Sequence, residues 1–592
     1  MERDRAAHNA VDRISTASLR WSLLEIALIV AVFFAATGDR PPNVNESHYL
    51  CRFKHYWDPA WCRGDLFLES PDTQLVLIWL FGWVTRFVSL TATAWIGRVL
   101  AWIAIATAWH QLSWRIIPRR FASVLSAALF LGLNHYLHLA GEWVVGGVEA
   151  KCFAYALVLL ALRGIIDERW NRAWLLLGGA TALHPIVGGW SVLLCAGVWI
   201  VAVLAARSNQ RQLEDHSPNA NRTTFTSLLA SRMFAMLPGL IAGGLVGLIG
   251  IVPALSLTWG VPAEIVNEAA RIYVFDRLPH HLAPLTLTAE VPRRLAGHAI
   301  LLATMFVLWL LQRNSRAISD EAVARSPANS LEARQELDPS LPNDLSADDP
   351  PSLSPLHAIV LFAIGAAALA GIGFALEIGL ANHPLVAAKL LRYYWFRLTD
   401  FAASMAVAFQ LTVLVVAALE RRRAWALPAL AAAIVLAAWF PVAACWDRLA
   451  NDNSPSDAKI PYFKAWVEVC DWIRANTPSN ALFITPRANV SFKWRTERPE
   501  VANRKDIPQD ARGIVEWAQR LKDIYTIQYA GKPLVLDSVC SLGTERVREL
   551  ANKYHAHYVL SDRLELLDLP VAFANEDYVV YRIEDRNAGD GP

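Results

Sequence analysis

The residues from Asp39 to Asp72 form a carboxylate-rich stretch directly after the first apolar run of the sequence. A loop between two membrane helices needs only a few residues, and a longer one is usually functional or disordered. The many aromatic side chains in this stretch argue against disorder. A carboxylate here could take the proton of an acceptor hydroxyl as a general base. Glu46 is the first candidate base and Asp65 the second, although Asp65 could instead cap a helix beginning near residue 66. The alternative for the whole stretch is an outer cap without chemistry.

A second pair of carboxylates lies in the segment LAGEWVVGGVEAKCFAY. Glu142 and Glu149 are seven residues apart, so they share one face if this segment is helical. A carboxylate close to a bilayer is costly and is a functional hypothesis by default. The alternative is that Glu149 pairs with Lys151 or Arg163 at the membrane interface.

Three histidines are candidates for contact with a phosphate or a sugar. His184 lies in ALHPIVGG, where the following Pro and Gly residues predict a turn. His280 and His281 are adjacent in PHHLAPL, and adjacent side chains on a helix point in different directions. A shared metal site is therefore not expected for this pair. For His184 the alternative is an ordinary residue at the membrane interface.

Two arginines in RYYWFRLTD could bind a phosphate group. If that phosphate were the leaving group of a reaction, their positive charges would offset its negative charge. Arg392 and Arg397 are the candidates, because a guanidinium suits bidentate phosphate recognition. The aromatic residues between them are typical of a membrane interface and need no special role. Arg397 could instead pair with Asp400 across one helical turn.

The composition indicates a polytopic membrane protein. Of the 592 residues, 55% are hydrophobic and 18% are charged, and the mean hydropathy is +0.29. Soluble domains carry about 25% charged residues, and this sequence also contains repeated long apolar runs. No basic aromatic patch suggests nucleic-acid binding.

The seven cysteines do not indicate a metal site, because no two of them form a CxxC pair. Cys51 and Cys62 share the first loop and could pair in an oxidising compartment, or both could remain free thiols. The cofactor is left open: a divalent metal is compatible with the sequence, but no ligand set indicates one.

The arginines predict which loops face the cytoplasm, because cytoplasmic loops carry an excess of basic residues. The basic N-terminus, residues 1–20, is assigned to that side. The other arginine-rich breaks on that side are residues 115–120, 163–172, 207–232, 313–325 and 421–423. The turns on the far side are then residues 140–151, 184–189, 259–294 and 379–397. This assignment also places the C-terminus outside.

About eleven spans satisfy this rule, provided that residues 74–90 do not cross the membrane. That run is interrupted by Arg86, so we expect an in-plane or re-entrant helix there and a crossing at residues 95–112. The expected location is the bacterial cytoplasmic (inner) membrane.

The composition and the apolar periodicity change along the chain, and these changes predict its domains. A membrane module covers residues 21–314 and includes the large outer loop, residues 38–73. Residues 315–355 are polar, lack apolar periodicity and predict a disordered cytoplasmic linker. A second membrane part covers residues 356–446, and residues 457–592 alternate helical and β patterns like a soluble domain. The expected fold class is mainly α: a polytopic transmembrane helix bundle with a C-terminal soluble α/β domain, placed outside the cytoplasm.

Several short segments resemble the GT-C superfamily of polytopic glycosyltransferases, and also a bacterial family of such membrane proteins. They are NESHYL and DPAWCRGD in the first loop, GEWVVGGVEAK, ALHPIVGG, PHHLAPL, and WIRANTPSNALFITPRANVSFKWRTERPEVANRKDIP in the C-terminal part. The arrangement of one span, an acidic outer loop, many spans and an outer soluble domain is similar too.

The resemblance implies transfer of a sugar from a polyprenyl-phosphate donor at the outer membrane face, with Glu46 in the acidic first-loop position. The expected partners are then membrane lipid and a polyprenyl-phosphate sugar, and the acceptor is left open. The sequence departs from the common pattern, since it has a lone Glu46 where an Asp-Asp or Asp-x-Asp pair is usual. This departure puts dependence on a metal in doubt.

Two other functions are compatible with the same residues. A transporter or flippase would line a polar path with Glu142, Glu149 and His184, and an envelope scaffold would use the C-terminal domain to bind a partner. The positions of the side chains distinguish them. Convergence of Glu46, Asp65, Glu142 and His280 at one outer face favours the transferase, whereas a polar path to the cytoplasmic side favours transport.

Overall fold

A computed structural model describes residues 2–216, 225–286, 289–324, 353–529 and 531–583. Helices dominate the part before residue 451. In chain order they are α1 (Glu2–Thr37), α2 (Glu46–Trp57), α3 (Leu66–Glu69), α4 (Leu75–Leu80), α5 (Leu90–Ile116), α6 (Ala122–Tyr136), α7 (Ala150–Ile166), α8 (Trp170–Leu183), α9 (Pro185–His216), α10 (Phe225–Ser256), α11 (Ala263–Arg271), α12 (Pro279–Leu282), α13 (Val291–Ala324), α14 (Pro355–Gly379), α15 (Pro384–Leu391), α16 (Arg397–Glu420) and α17 (Ala426–Ala450).

Eight helices of the described residues are long and apolar enough to cross a membrane: α1 (from Leu19), α5, α9, α10, α13, α14, α16 and α17. The predicted polytopic helix bundle is therefore confirmed. The predicted count of about eleven spans is not confirmed, because α6, α7 and α8 have only 15, 17 and 14 residues. A helix needs about 20 apolar residues to span the hydrocarbon core.

Residues 74–90 do not cross the bundle, as predicted. They form α4, which has six residues, and a 3-10 turn, Gly82–Arg86. At 1.5 Å per residue, α4 is about 9 Å long, far short of the roughly 30 Å of a bilayer core. Trp79, Trp83 and Phe87 expose their side chains on this segment, which is typical of a helix lying at a membrane interface.

The expected linker, residues 315–355, lies mostly outside the described residues, which omit 325–352. Its first ten residues continue helix α13 as far as Ala324, where the sequence predicted a disordered chain. The reason is local, since this stretch contains Ala, Glu and Arg, which favour helices. Helix α14 then starts at Pro355, and proline suits the first helical position.

Helices α8 and α10 pack unusually closely, because glycines line their contact. A Cβ atom on Gly178 would lie 2.1 Å from the Gly243 carbonyl oxygen, and one on Gly239 would lie 2.4 Å from the Asn171 Cα. Small residues allow helix backbones to approach in this way. Asn171 also ties the two helices together, as it donates to the Ala235 carbonyl at 2.7 Å and accepts from the Gly239 amide at 2.8 Å.

The C-terminal α/β domain is also confirmed. Its helices and strands are α18 (Phe463–Asn476), β1 (Phe483–Ile484), α19 (Phe492–Thr496), α20 (Ala511–Tyr525), β2 (Thr526–Tyr529), β3 (Lys532–Val535), α21 (Thr544–Tyr554), β4 (Tyr558–Asp562), β5 (Val571–Ala574) and β6 (Tyr578–Arg582). The main sheet has the order β1-β4-β6-β5 and is antiparallel except for the parallel pair β1-β4, while β2 and β3 form a separate antiparallel hairpin.

Both faces of the main sheet are covered at its central strands, β4 and β6, whereas the edge strand β5 is largely exposed. Val559 and Val579 pack with α20 and α21 on one face, while their neighbours Leu560 and Val580 pack with α18 on the other. Successive side chains of a strand point to opposite faces. The domain docks on the membrane part through α20, whose Ile514 and Trp517 pack against α11.

Candidate active site

Helix α2 joins the first loop to two other parts of the chain. Ser47 Oγ lies 3.0 Å from Ser456 Oγ, and His48 Nδ1 lies 2.9 Å from Asp506 Oδ1 in the C-terminal domain. Asn45 donates to Glu149 Oε1 at 2.6 Å in the turn before α7. We use the name junction for the region where α2 meets residues 137–149, 272–286 and 485–509. The first loop, these turns and the C-terminal domain therefore lie at one end of the bundle.

Glu46, the first candidate base, is a fully buried ion-pair partner. Its carboxylate receives Arg98 Nε at 2.6 Å and Nη2 at 2.5 Å, and it also accepts from the backbone amides of Val148 at 3.1 Å and Asn43 at 2.7 Å. The side chain has no exposed surface. Its carboxylate is fully paired, so Glu46 joins α2 to α5 and to the turn before α7, and its expected role as a base stays a prediction.

Asp65, the second candidate, caps α3, which was the alternative considered for it. One carboxylate oxygen accepts from the amides of Phe67 and Leu68, each at 3.1 Å. The other oxygen faces Lys493 Nζ at 3.1 Å and accepts from the Glu500 amide at 3.2 Å. With its contacts satisfied and its surface 1% exposed, Asp65 attaches the first loop to the C-terminal domain.

Lys493 is a buried lysine surrounded by carboxylates. Besides Asp65, its ammonium lies 2.9 Å from Glu500 and 2.7 Å from Asp506. Burial alone would lower the pKa of Lys493, but these carboxylates, Asp506 foremost, hold it well above its usual value. Burial raises the pKa of Glu500, with Lys493 opposing that effect. This cluster fastens the first loop to the domain.

Glu142 and Glu149 converge as predicted, but not because they share a helix face. Residues 137–149 are not helical; α7 begins at Ala150, and the left-handed Gly141 bends the chain. Both carboxylates meet Lys151, whose ammonium lies 3.5 Å from Glu142 and 3.4 Å from Glu149. The predicted alternative pairing of Glu149 with Lys151 is thus present. Burial raises the pKa of Glu149, although the Lys151 charge and the Asn45 hydrogen bond oppose it.

Arg397 pairs with Glu142, at 3.1 Å from Nε to Oε2, and not with Asp400 as the sequence suggested. Asp400 instead accepts the backbone amides of Leu139, Ala140 and Glu142 at 2.6 to 3.0 Å, so it fixes the turn. His184 Nε2 lies 3.1 Å from Arg397 Nη1. Since a guanidinium only donates, His184 accepts there. Burial lowers the pKa of His184, with Arg397 adding to the effect.

His280 and His281 lie at the same end but differ in their contacts. His281 Nδ1 donates to the Ala140 carbonyl, which links α12 to the turn. His280 lies among basic residues. Its burial, followed by the charges of Arg277 and Arg294, lowers its pKa to about 4. Both imidazoles are therefore neutral near pH 7 and act as hydrogen-bonding groups rather than as cations.

Lys505 is the functional candidate that the sequence analysis missed. Among the described residues no carboxylate lies within ion-pair distance of its ammonium, and no acceptor lies within hydrogen-bond distance. Burial, followed by the neighbouring charge of Arg277, lowers its pKa to about 7, while Asp506 and Glu149 act in the opposite direction. The sequence feature that could have indicated Lys505 is the adjacent basic pair Arg504-Lys505 in ANRKDIP. No role was predicted for this segment.

Arg277 accompanies Lys505 and is also incompletely satisfied. Its Nη2 donates to the Lys505 carbonyl at 3.2 Å, but its buried Nε has no hydrogen-bond partner among the described residues. Burial lowers the pKa of Arg277, and the nearby Arg504 adds to this. A buried donor without a partner is unfavourable, so an anion that accepted a hydrogen bond from Arg277 Nε would remove this cost, and the neighbouring Lys505 would add a second positive charge.

Other predicted features take no part in this arrangement. Within the described residues Arg392 forms no ion pair, and its guanidinium lies 5.9 Å from the Tyr393 ring. Cys51 and Cys62 are both free and buried. The described residues contain no group of three or more His, Cys, Asp or Glu side chains that could hold a metal ion.

A cleft of about 600 Å³ lies beside the junction. Its walls come from α2, α3, α4 and the end of α10, and they include Leu68, Leu75, Ile78, Val252 and Leu257.

Comparisons with known proteins find similarity at the level of domains and structures. A family model described as a domain of unknown function, DUF6798, matches residues 464–524, from α18 into α20. No curated protein matches the chain.

Among solved structures, the chain is similar to the apo oligosaccharyltransferase of Archaeoglobus fulgidus, with 13% identity over 92% of this chain and 69% of that one and a TM-score of 0.41. It is also similar to ArnT from Cupriavidus metallidurans. In the apo state the identity is 14% over 95% of this chain and 98% of that one, with a TM-score of 0.39. In the structure bound to undecaprenyl phosphate the identity is 14% over 95% of this chain and 97% of that one, with a TM-score of 0.35.

Proposed function

We propose that this protein transfers a sugar from a polyprenyl-phosphate donor to an acceptor at the outer face of the bacterial cytoplasmic membrane. The observation that carries the proposal is the pair Arg277 and Lys505, two half-buried cations that lie near a carboxylate, Glu149. Arg277 Nε is buried without a hydrogen-bond partner, and Lys505 forms no ion pair among the described residues. A phosphate would supply the missing counter-charge and hydrogen-bond acceptors.

In the proposed sugar transfer, Lys505, Arg277 and Glu149 each have a separate role. The acceptor hydroxyl attacks the anomeric carbon of the sugar, the bond from that carbon to the phosphate oxygen breaks, and polyprenyl phosphate leaves. Lys505 and Arg277 stabilise the negative charge that develops on the leaving phosphate. Glu149 takes the proton of the acceptor hydroxyl.

Glu149 suits the base better than the other carboxylates do. Glu46 and Asp65 are saturated by ion pairs and backbone amides. Glu142 is held by Arg397, Lys151 and the Tyr155 hydroxyl. Glu149 has only Asn45 and a 3.4 Å contact with Lys151. Its raised pKa brings it closer to neutrality, where a general base is most effective.

The cleft between α2, α4 and α10 is a suitable binding groove for the lipid part of the donor. Its apolar walls continue into the exposed aromatic face of residues 79–87. Isoprenoid chains are apolar and would occupy such a groove while the phosphate reaches the cations.

The alternative functions have less support. A transporter needs a polar path through the bundle, but below the junction the described interior is filled with aromatic side chains. Trp109 stacks on Phe409 at 4.8 Å and packs beside Phe130 at 4.9 Å. A scaffold would have no use for the unpartnered Arg277 Nε, which is costly to bury.

The test uses purified protein in nanodiscs with lipid-linked sugars extracted from bacterial membranes. Mass spectrometry would follow loss of each polyprenyl-phosphate sugar and appearance of polyprenyl phosphate. We expect turnover by the wild type and a decrease of about 10²- to 10⁴-fold for Glu149→Gln. Glu565→Gln, an exposed change in the C-terminal domain outside the cleft, is the matched control and should keep full activity. Equal activity of Glu149→Gln and the wild type would remove Glu149 from the reaction, and no turnover of any donor would contradict the proposed function.

A further inference from the structure

A second cleft lies at the end of the bundle opposite the junction. Helix α8 ends at His184 in the junction region and begins at Trp170, so residues 168–172 lie at its far end. The N-terminal part of α10 lies there as well. The cleft has a volume of about 470 Å³, and Arg169, Arg172 and Arg232 line it together with Trp170 and Trp199.

We propose that this cleft binds the phosphate of an anionic membrane phospholipid. The inference is independent of the proposed sugar transfer, since none of these residues contributes to the junction.

The charge of the cleft is the first argument. Three arginines line it, and none of them lies within 4 Å of a carboxylate among the described residues. The nearby Asp167 is already occupied, because it pairs with Arg115 at 2.8 Å and Arg163 at 3.5 Å. Glu168 also lines the cleft, so the arginines still outnumber its carboxylates. A guanidinium matches a phosphate with two parallel hydrogen bonds.

The second argument is the position of the cleft in the membrane. Trp170 and Trp199 are half-buried and lie where the apolar helices end, the level that tryptophan prefers at a bilayer surface. Basic pockets between transmembrane helices bind lipid head groups. Indole faces beside arginines would contact the glycerol and upper acyl region while the guanidinium groups hold the phosphate.

The third argument is that the cleft has a fixed wall. Asn171 bridges α8 and α10 through the Ala235 carbonyl and the Gly239 amide, so Arg172 and Arg232 are held on adjacent rigid helices. A site built on packed helices is better preorganised than a mobile loop. The volume lies within the usual range for a small-ligand pocket.

The experiment is native mass spectrometry of the full, delipidated protein titrated with phosphatidylglycerol, phosphatidylcholine or inorganic phosphate. We compare the wild type with Arg232→Ala and with Arg423→Ala, a matched arginine in an exposed loop outside the cleft. We expect phosphatidylglycerol to bind more tightly than phosphatidylcholine, and its affinity to fall about fivefold in Arg232→Ala alone.

Three results would overturn the proposal. Equal binding of the two phospholipids would show no preference for an anion. An equal loss in both variants would show only diffuse attraction to basic loops. Inorganic phosphate binding as tightly as phosphatidylglycerol would identify a free phosphate site instead of a lipid site. Thermal unfolding of Arg232→Ala should match the wild type, because Arg232 forms no ion pair among the described residues.

Discussion

The junction contains two pairs of residues that differ in how their charges are compensated. Glu46 and Arg98 form a closed ion pair with every strong hydrogen-bonding direction of the carboxylate occupied. Arg277 and Lys505 are two like charges side by side: the buried Arg277 Nε has no hydrogen-bond partner among the described residues, and Lys505 forms no ion pair among them. Glu46 and Arg98 are fully buried, whereas Arg277 and Lys505 are half-buried.

The difference separates residues that hold the structure from residues that act on a ligand. Removing one partner of a buried ion pair lowers the stability of the protein, because the remaining charge is left buried without a counter-charge. A buried cationic group without a partner, such as Arg277 Nε, raises the free energy of the empty protein. On this basis we infer that Glu46 and Arg98 position the loop, and we propose that Arg277 and Lys505 bind the donor phosphate.

The largest expected effect comes from breaking the closed pair. Arg98→Met leaves the Glu46 carboxylate buried without its counter-charge, which should lower stability by about 3–5 kcal/mol. Thermal unfolding in detergent measures this, with Lys505→Met as the comparison. Because Lys505 lacks a partner, Lys505→Met should be as stable as the wild type or more stable. Similar destabilisation by the two changes would contradict the distinction.

The next effect is on turnover. Lys505→Met removes the charge that stabilises the leaving phosphate, and loss of one such preorganised donor reduces rate by about 10²- to 10³-fold. The assay is release of polyprenyl phosphate in nanodiscs. Lys459→Met, an exposed lysine nearby, serves as the control and should change little. Unchanged turnover in Lys505→Met would mean that this lysine does not contact the phosphate.

A smaller effect is expected from pH. Because the pKa of Lys505 is lowered to about 7, its ammonium is charged below that pH and becomes neutral above it. Turnover at low donor concentration should therefore fall as the pH rises through about 7. Lys505→Arg keeps its charge, so it should flatten the alkaline decline. An identical decline in that variant would assign the effect to another group.

The smallest effect is expected at Arg392. It was predicted as a phosphate-binding residue together with Arg397, but it forms no ion pair among the described residues and lies beside Tyr393. Arg392→Ala should change turnover less than about twofold and stability within about 0.5 kcal/mol, as for an ordinary surface change. A loss as large as that of Lys505→Met would require a second phosphate-binding place.

The sequence predicted the helix bundle, the non-spanning residues 74–90 and the C-terminal domain, because hydropathy and apolar periodicity carry that information directly. It also assigned the first loop, the GEWVVGGVEAK turn, His184 and the histidine pair to the same side of the membrane. Apart from the alternative pairing of Glu149 with Lys151, it did not predict which charges pair. Arg98 lies within an apolar run and partners Glu46 from 52 residues away, and no local pattern indicates such a contact.

The roles within the site were therefore assigned differently by the sequence and the structure. Glu46 was conspicuous in its loop, but its saturation by Arg98 and two amides follows only from tertiary packing. Lys505 was overlooked because a basic residue in a soluble domain is usually a surface residue. Its burial against the membrane part depends on how the domain docks.

The central claim is that Lys505 is a phosphate-binding cation of the junction. Its most direct test is the dissociation constant for undecaprenyl phosphate, measured by native mass spectrometry for the wild type, Lys505→Met, Lys505→Arg and Lys459→Met. We predict that Lys505→Met weakens binding by at least about tenfold, as expected for a lost charged hydrogen bond, while Lys505→Arg and Lys459→Met bind nearly as the wild type does. Equal affinity of Lys505→Met and the wild type would contradict the claim.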